Sequence, residues 1–180
     1  MRIISGKFKG RKIKIPKNLS IRPTTNLAKE SLFNIISNNL NLEDINVLDL
    51  FSGSGMIGLE FISRGSKVTF LDHNFRCIKH ISQTLNHLKT DAKSIKQNAF
   101  KYLASCNDDF DLVFADPPYS FSDENYYELI NIISKKILKK PNNFFILEHF
   151  KKKNFLTHEN FFETRNYGDC SFTFFKQKSG

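Results

Sequence analysis

Between residues 46 and 149, short apolar runs alternate with stretches of helical spacing, and that alternation restricts the fold more than any other feature. "NVLDL" reads as a strand, "MIGLEFISR" as a helix, "KVTFL" as a strand and Phe75 to Leu88 as a helix. "SIKQ" follows as a third strand, "AFKYLAS" as a short helix, "FDLVFA" as a fourth strand, Tyr126 to Leu138 as a helix and "NNFFILEH" as a fifth strand. Strands separated by helices are joined by right-handed crossovers, so the pattern predicts an α/β fold whose parallel sheet is covered on both faces. The rhythm breaks at the end. "FFETRNYGDC" and "SFTFFKQK" have no helix between them and predict a closing hairpin.

A chain of 180 residues suits one domain, 1–180, with a core of its own. The separable piece is a basic segment at residues 1–25. Lys plus Arg number 27 against 18 Asp plus Glu, a formal net charge of +9, which points to a polyanionic partner such as nucleic acid or an anionic surface. No apolar run reaches bilayer length, and the opening "MRIISGKFKGRKIKIP" lacks the apolar middle of a secretion signal. The expectation is a soluble, cytoplasmic protein with no membrane partner.

Cys77, Cys106 and Cys170 are far apart and odd in number, which fits neither a disulfide framework nor a zinc spacing. His73, His80 and His87 recur every seven residues, on one side of a predicted helix but too distant from one another for one ion. They read as a solvated face, with no metal expected.

At the start, "RIIS" and "RKIKI" interleave basic and apolar residues around Gly6 and Gly10, which predicts a small hairpin with Lys7, Lys9, Arg11, Lys12 and Lys14 on its exposed side. A loop, "NLSIRPTT", leads to a helix with apolar positions Leu27, Leu32, Ile35, Ile36 and Leu40, with Thr24 or Thr25 as its N-cap.

The first chemical signal is "VLDLFSGSGMIGLEF". A buried strand ends at Asp49 and Leu50, a turn carries Gly53, Ser54 and Gly55, and a helix begins near Met56. Glycines allow close backbone approach to a ligand, and the helix start offers free N–H groups. Without Gly-Lys-Ser/Thr this is no triphosphate P-loop. Asp49 would disfavour a pyrophosphate and suits a ligand carrying an amino group or a sulfonium. Asp72, about twenty positions beyond the glycines at the end of the second strand, stands where a ribose is gripped in open α/β sheets, with a helix N-cap as the competing reading. Asn98, after the third strand, lies within reach of an adenine amino group. Phe51 and His73 join this cofactor set by position.

The second signal is "FDLVFADPPYSFSD". Its Asp116-Pro117-Pro118-Tyr119 leaves the fourth strand at the same edge, where open α/β sheets bind ligands. Proline fixes φ and lacks an N–H, so Pro117 and Pro118 stiffen the loop. Asp116 and the Pro117 carbonyl are two acceptors that could orient one exocyclic amine toward an electrophile, and Tyr119 offers a face for an extruded base. The arrangement fits methylation of a base amine.

Together with "MRIISGKFKGRKIKIP", "IRPTTNLAKESLFNII", "SRG", "DHN" and "YGD", these motifs make the chain resemble the class I S-adenosylmethionine-dependent methyltransferases, and more closely the RsmD family, which methylates the N2 amine of a guanine in 16S ribosomal RNA. The resemblance implies a Rossmann-like seven-stranded methyltransferase sheet with an antiparallel C-terminal hairpin and a small N-terminal β-hairpin. It implies S-adenosylmethionine as cofactor at Asp49, Gly53, Ser54, Gly55 and Asp72, and a catalytic loop at Asp116 to Tyr119. Asn98 falls where relatives usually carry Asp. The implied partner is 16S rRNA, within a small ribosomal subunit or an assembly intermediate.

For the basic segment, Arg2, Lys7, Lys9, Arg11, Lys12, Lys14, Lys17 and Arg22, with Thr24 and Thr25 beside them, are expected to contact RNA. Lys135, Lys136, Lys139, Lys140 and Lys151 to Lys153 read as surface. Rival readings are a DNA adenine-N6 methyltransferase, a protein glutamine methyltransferase and a non-catalytic RNA-binding protein. The first usually reads sequence through an added recognition domain, for which this chain has no room, and the second typically has Asn in place of Asp116 and a further N-terminal domain. The last predicts a damaged cofactor loop or tetrapeptide, and both are intact.

Overall fold

The computed structural model describes residues 1–16, 19, 26–118 and 120–177. Twelve elements follow in order: α1 (Asn26–Asn39), β1 (Asn46–Leu50), α2 (Met56–Ser63), β2 (Lys67–Asp72), α3 (Phe75–Leu88), β3 (Lys93–Lys96), α4 (Ala99–Ser105), β4 (Leu112–Ala115), α5 (Asp123–Lys136), β5 (Phe144–Phe150), β6 (Phe161–Tyr167) and β7 (Cys170–Lys176). They form one seven-stranded sheet in the order β3-β2-β1-β4-β5-β7-β6. The first five strands are parallel, and β7 and β6 close it antiparallel. The expected α/β class and final hairpin are both present.

Strand alternation divides the core. Val47, Phe114, Ile146 and Phe174 pack toward α1, α2 and α3, while Leu48, Leu50, Val113, Phe145 and Phe175 pack toward α4 and α5. β1 and β4 are neighbours, yet the chain leaves β1 for β2 on its other side. That reversal opens a crevice at their carboxyl ends, the usual ligand site of such sheets.

At the N-terminus the chain doubles back, but with one isolated antiparallel bridge, Arg2↔Lys12, in place of a two-stranded ladder. Ile3 N–H donates to the Arg11 carbonyl and Ile13 N–H to the Met1 carbonyl, and both isoleucines enter the core beside α1 and α2. What holds this segment is a buried charge cluster. Lys29 Nζ lies 2.8 Å from Glu60 Oε1, both side chains are fully buried, and Arg64 Nη1 pairs with Glu60 Oε2. Glu60 Oε1 also accepts the Ile4 N–H at 2.8 Å, and Lys29 Nζ donates to the Arg2 carbonyl at 2.7 Å. At the far end of α2, Lys7 N–H donates to the Ser63 carbonyl and Phe8 N–H to Ser63 Oγ. Gly6, at φ +79°, passes so close that a Cβ would sit 1.7 Å from the Ser63 carbonyl oxygen.

Three expectations are corrected. Leu27 is 72% exposed, because the buried stripe of α1 is Ala28, Lys29, Leu32, Phe33 and Ile36. The three histidines share no solvated face: His73 precedes α3, His87 is exposed, and His80 is buried with Cys77, Ile81 and Thr84. Burial lowers the His80 pKa, and its Nε2 has no hydrogen-bond partner among the described residues. α5 starts at Asp123, three residues earlier than the apolar spacing indicated, because Ser122 caps it by accepting the Asn125 N–H. No helix among the described residues is long and apolar enough to cross a membrane.

Candidate active site

The turn after β1 is fastened to β2 from below. Ser52 N–H donates to the Leu71 carbonyl, Leu71 N–H donates to Ser52 Oγ, and that hydroxyl reaches the Asp49 carbonyl at 2.6 Å. Phe51, Gly53 and Gly55 all take positive φ, and Gly55 at +75° is the N-cap of α2. For Phe51, at +61°, the left-handed conformation costs energy that the surrounding bonds must offset.

Asp72 supplies the next tie. Its Oδ2 accepts the Gly53 N–H at 2.9 Å and its Oδ1 the Asn74 N–H at 2.8 Å, so one buried carboxylate joins the ends of β1 and β2. The helix-capping alternative falls to Asn74, whose side chain accepts the Arg76 N–H. His73 is exposed, with Nδ1 3.6 Å from Asp72 Oδ1. Ser54 is buried in the same turn.

Asp49 lies at the base of this turn, next to α2. It is 2% exposed, and its Oδ2 accepts the Gly58 N–H at 3.0 Å, so it secures the first turn of α2. Burial raises its pKa well above the ordinary carboxylate value; the Gly58 bond opposes that, and the Asp72 charge adds to it. Gly58 was not singled out by the sequence reading. A Cβ there would sit 2.1 Å from Phe70 Cε1 and 2.8 Å from Asp49 Oδ2. The signal was available: Gly53, Gly55 and Gly58 follow the G-x-G-x-x-G spacing, whose third glycine permits close helix–strand packing.

Asn98 stands at the same sheet edge as the N-cap of α4, its Oδ1 accepting the Lys101 N–H at 3.1 Å. That bond occupies one lone pair of the oxygen assigned to adenine and gives Asn98 a capping role of its own.

The tetrapeptide adjoins the glycine turn directly. Leu50 pairs with Ala115 in register, and Asp116 N–H donates to the Leu50 carbonyl at 3.4 Å. Asp116 is half-buried, Pro117 buried and Pro118 exposed, with the Pro118 carbonyl accepting the Phe121 N–H at 2.9 Å. Phe121 anchors the loop: its ring meets Phe51 edge-on at 5.5 Å and Tyr126 edge-on at 5.2 Å, and stacks on Phe100 at 5.9 Å. Rings from the glycine turn, α4 and the tetrapeptide loop thus make one aromatic floor, which the sequence reading missed. Lys17, Arg22, Thr24, Thr25 and Tyr119 lie outside the described residues. Arg11 and Lys12 are exposed on the doubled-back segment. The tip of that segment rests against Ser63, about 12 Å along α2 from the glycine turn.

A family model described as conserved hypothetical protein 95 matches residues 1–176, nearly the whole chain. The chain belongs to this family. It is the RsmD family that the motifs pointed to, and a Haemophilus influenzae relative, ribosomal RNA small subunit methyltransferase D, is 33% identical over 89% of this chain and 84% of its own. The yhhF protein of Escherichia coli superposes with a TM-score of 0.84 at 26% identity, covering 100% of this chain and 99% of that one. A Thermus thermophilus 16S rRNA N2 G1207 methyltransferase, solved with AdoMet and guanosine, superposes with a TM-score of 0.67 at 17% identity, over 86% of this chain and 44% of that one. The RsmD-family chain therefore has the α/β methyltransferase fold, the framework that takes S-adenosylmethionine at the carboxyl ends of its strands.

Proposed function

We propose that the protein transfers a methyl group from S-adenosylmethionine to the N2 amine of a guanine in small-subunit ribosomal RNA. The observation that carries this reading is the pairing of β1 with β4, which sets Asp116 against the turn of Phe51, Gly53 and Gly55. Cofactor and acceptor would then meet across neighbouring strands, about 5 Å apart. Gly53, Ser54 and Gly55 line the cofactor side, Asp72 and His73 face its ribose, and Asn98 and Phe51 border its base. Asp49 acts from beneath by fixing α2.

In the transfer, Asp116 and the Pro117 carbonyl accept hydrogen bonds from the guanine amine and aim its nitrogen at the sulfonium methyl. The N–C bond forms as the S–C bond breaks, leaving S-adenosylhomocysteine, and the proton lost from nitrogen passes to water or to Asp116. Tyr119 stacks on the extruded base. Holding the reacting atoms in line is a large part of such catalysis, because the sulfonium is already an activated donor. Arg11, Lys12, Arg22, Thr24 and Thr25 would contact the RNA. The relative's name supports the ribosomal substrate, and an assembled or assembling subunit is the expected form.

The test offers labelled S-adenosylmethionine with small subunits, free small-subunit rRNA and duplex DNA. Label is expected as N2-methylguanosine in ribosomal RNA, lost in Asp116→Ala. Label as N6-methyladenine in DNA would overturn the substrate, and full turnover in a folded Asp116→Ala would overturn the mechanism.

A further inference from the structure

All the strand ends used so far meet at one edge of the sheet, and β5 reaches that edge as well. It runs parallel to β4 with Leu147 beside Ala115, then continues through Glu148, His149 and Phe150, paired with Phe172, Ser171 and Cys170 of β7. The chain leaves it as Lys151-Lys152-Lys153. At strand spacing this puts Lys151 about 10 Å beyond Asp116 along the strand direction and about 5 Å to one side. It leaves β5 at the same sheet edge as the catalytic loop, on a turn tied to the β6–β7 turn.

These lysines differ from the basic groups of α5 and of the doubled-back segment. Lys153 is engaged, its Nζ paired with Asp123 and 5.5 Å from the centre of the Tyr126 ring. Lys151 and Lys152 are exposed, yet their turn is fixed: Lys151 N–H donates to the Asp169 carbonyl at 3.0 Å and Lys153 N–H to the Phe150 carbonyl at 2.9 Å. The exposed Asp169 carboxylate, in the β6–β7 turn, offsets part of their charge. Lys135 and Lys136 sit at the far end of α5, toward the opposite edge, where Lys136 Nζ is spent on the Leu103 and Ala104 carbonyls. Lys7 and Lys9, at the tip of the doubled-back segment, are likewise distant from the tetrapeptide, beside Ser63.

We propose that Lys151 and Lys152 form a phosphate-binding pair for the RNA strand that carries the target base, on the β5 side of the catalytic loop. The inference rests on the ribosomal RNA reading above. Two cations held ahead of the loop would grip the backbone next to an extruded nucleotide and contribute to position rather than sequence choice.

The test measures binding of a small-subunit rRNA transcript to wild type and to Lys151→Ala/Lys152→Ala over a series of salt concentrations. Two lost phosphate contacts lower the slope of log K against log salt by about 1.4 to 1.8. The double variant should bind the transcript severalfold more weakly and raise its KM more than it lowers kcat. S-adenosylmethionine affinity should not move, and Lys151→Arg/Lys152→Arg should keep the wild-type slope. An unchanged slope and affinity in the alanine variant, with wild type still methylating rRNA, would sink this inference and leave the function standing. A wild type that neither binds nor methylates the transcript or subunits would sink both.

Discussion

Replacing Lys29 by methionine tests whether the buried charge cluster holds the N-terminal segment to the core. Methionine nearly preserves the volume, so the change removes a charge and leaves little cavity. Glu60 then keeps Arg64 and the Ile4 N–H but loses its fully buried partner 2.8 Å away, and the Arg2 carbonyl loses its donor. Removing one member of a buried pair costs about 3–5 kcal/mol. A domain's whole stability is about 5–15 kcal/mol, so this is a large share of it. At about 2–4 °C per kcal/mol for a chain of this size, the melting temperature should fall by about 6–20 °C. Urea unfolding followed by circular dichroism gives the free energy, and trypsin cleavage at Lys7 or Lys9 reports loosening of the segment. The double variant Lys29→Met/Glu60→Leu should lose less than the sum of the two singles, because it leaves no lone charge of the pair buried. A Lys29→Met loss under about 1 kcal/mol, or strict additivity in the cycle, would refute the reasoning.

Gly58→Ala should destabilise by about 1–3 kcal/mol, since its Cβ would collide with the fully buried Phe70 ring. It should also weaken S-adenosylmethionine binding by displacing Asp49; calorimetry on the folded variant reads both, and an unchanged melting temperature would count against the packing account. The pH dependence follows from three histidines. Burial lowers the folded-state pKa of His80, His149 and His158, so the unfolded chain binds protons first. Stability is therefore expected to fall as pH drops below about 6.5, the ordinary histidine value, until the folded values are reached. Asp49, with its raised pKa, works in the opposite sense: its contribution falls as pH rises above about 3.9, the ordinary aspartate value, toward the folded one. Urea midpoints between about pH 7 and pH 5 should slope less in His149→Gln than in wild type; parallel slopes would remove His149 from the account.

The architecture was legible because each strand and helix carries its own period, and the sheet edge follows from connectivity alone. Depth was harder to read. Asp49 was matched to a cationic ligand from its place before the glycines; that strand alternation also puts it on the Val47 side, beneath α2, where it meets Gly58, was not drawn from the sequence. Lys29 and Glu60 lie in two helices separated in sequence by β1, so neither helical pattern alone shows that each satisfies the other's charge. His80 looked solvated because its heptad partners are polar, but it sits one residue before the fully buried Ile81 and within the stripe of Cys77 and Thr84. The glycine turn and the tetrapeptide were both visible as motifs. The Phe51–Phe121–Phe100 contact that joins them is a meeting of two loops and α4, and only the folded sheet brings them together. What the motifs could give is the chemistry of each strand end; the distance between ends is set by β1–β4 pairing, and catalysis by orientation depends on that distance.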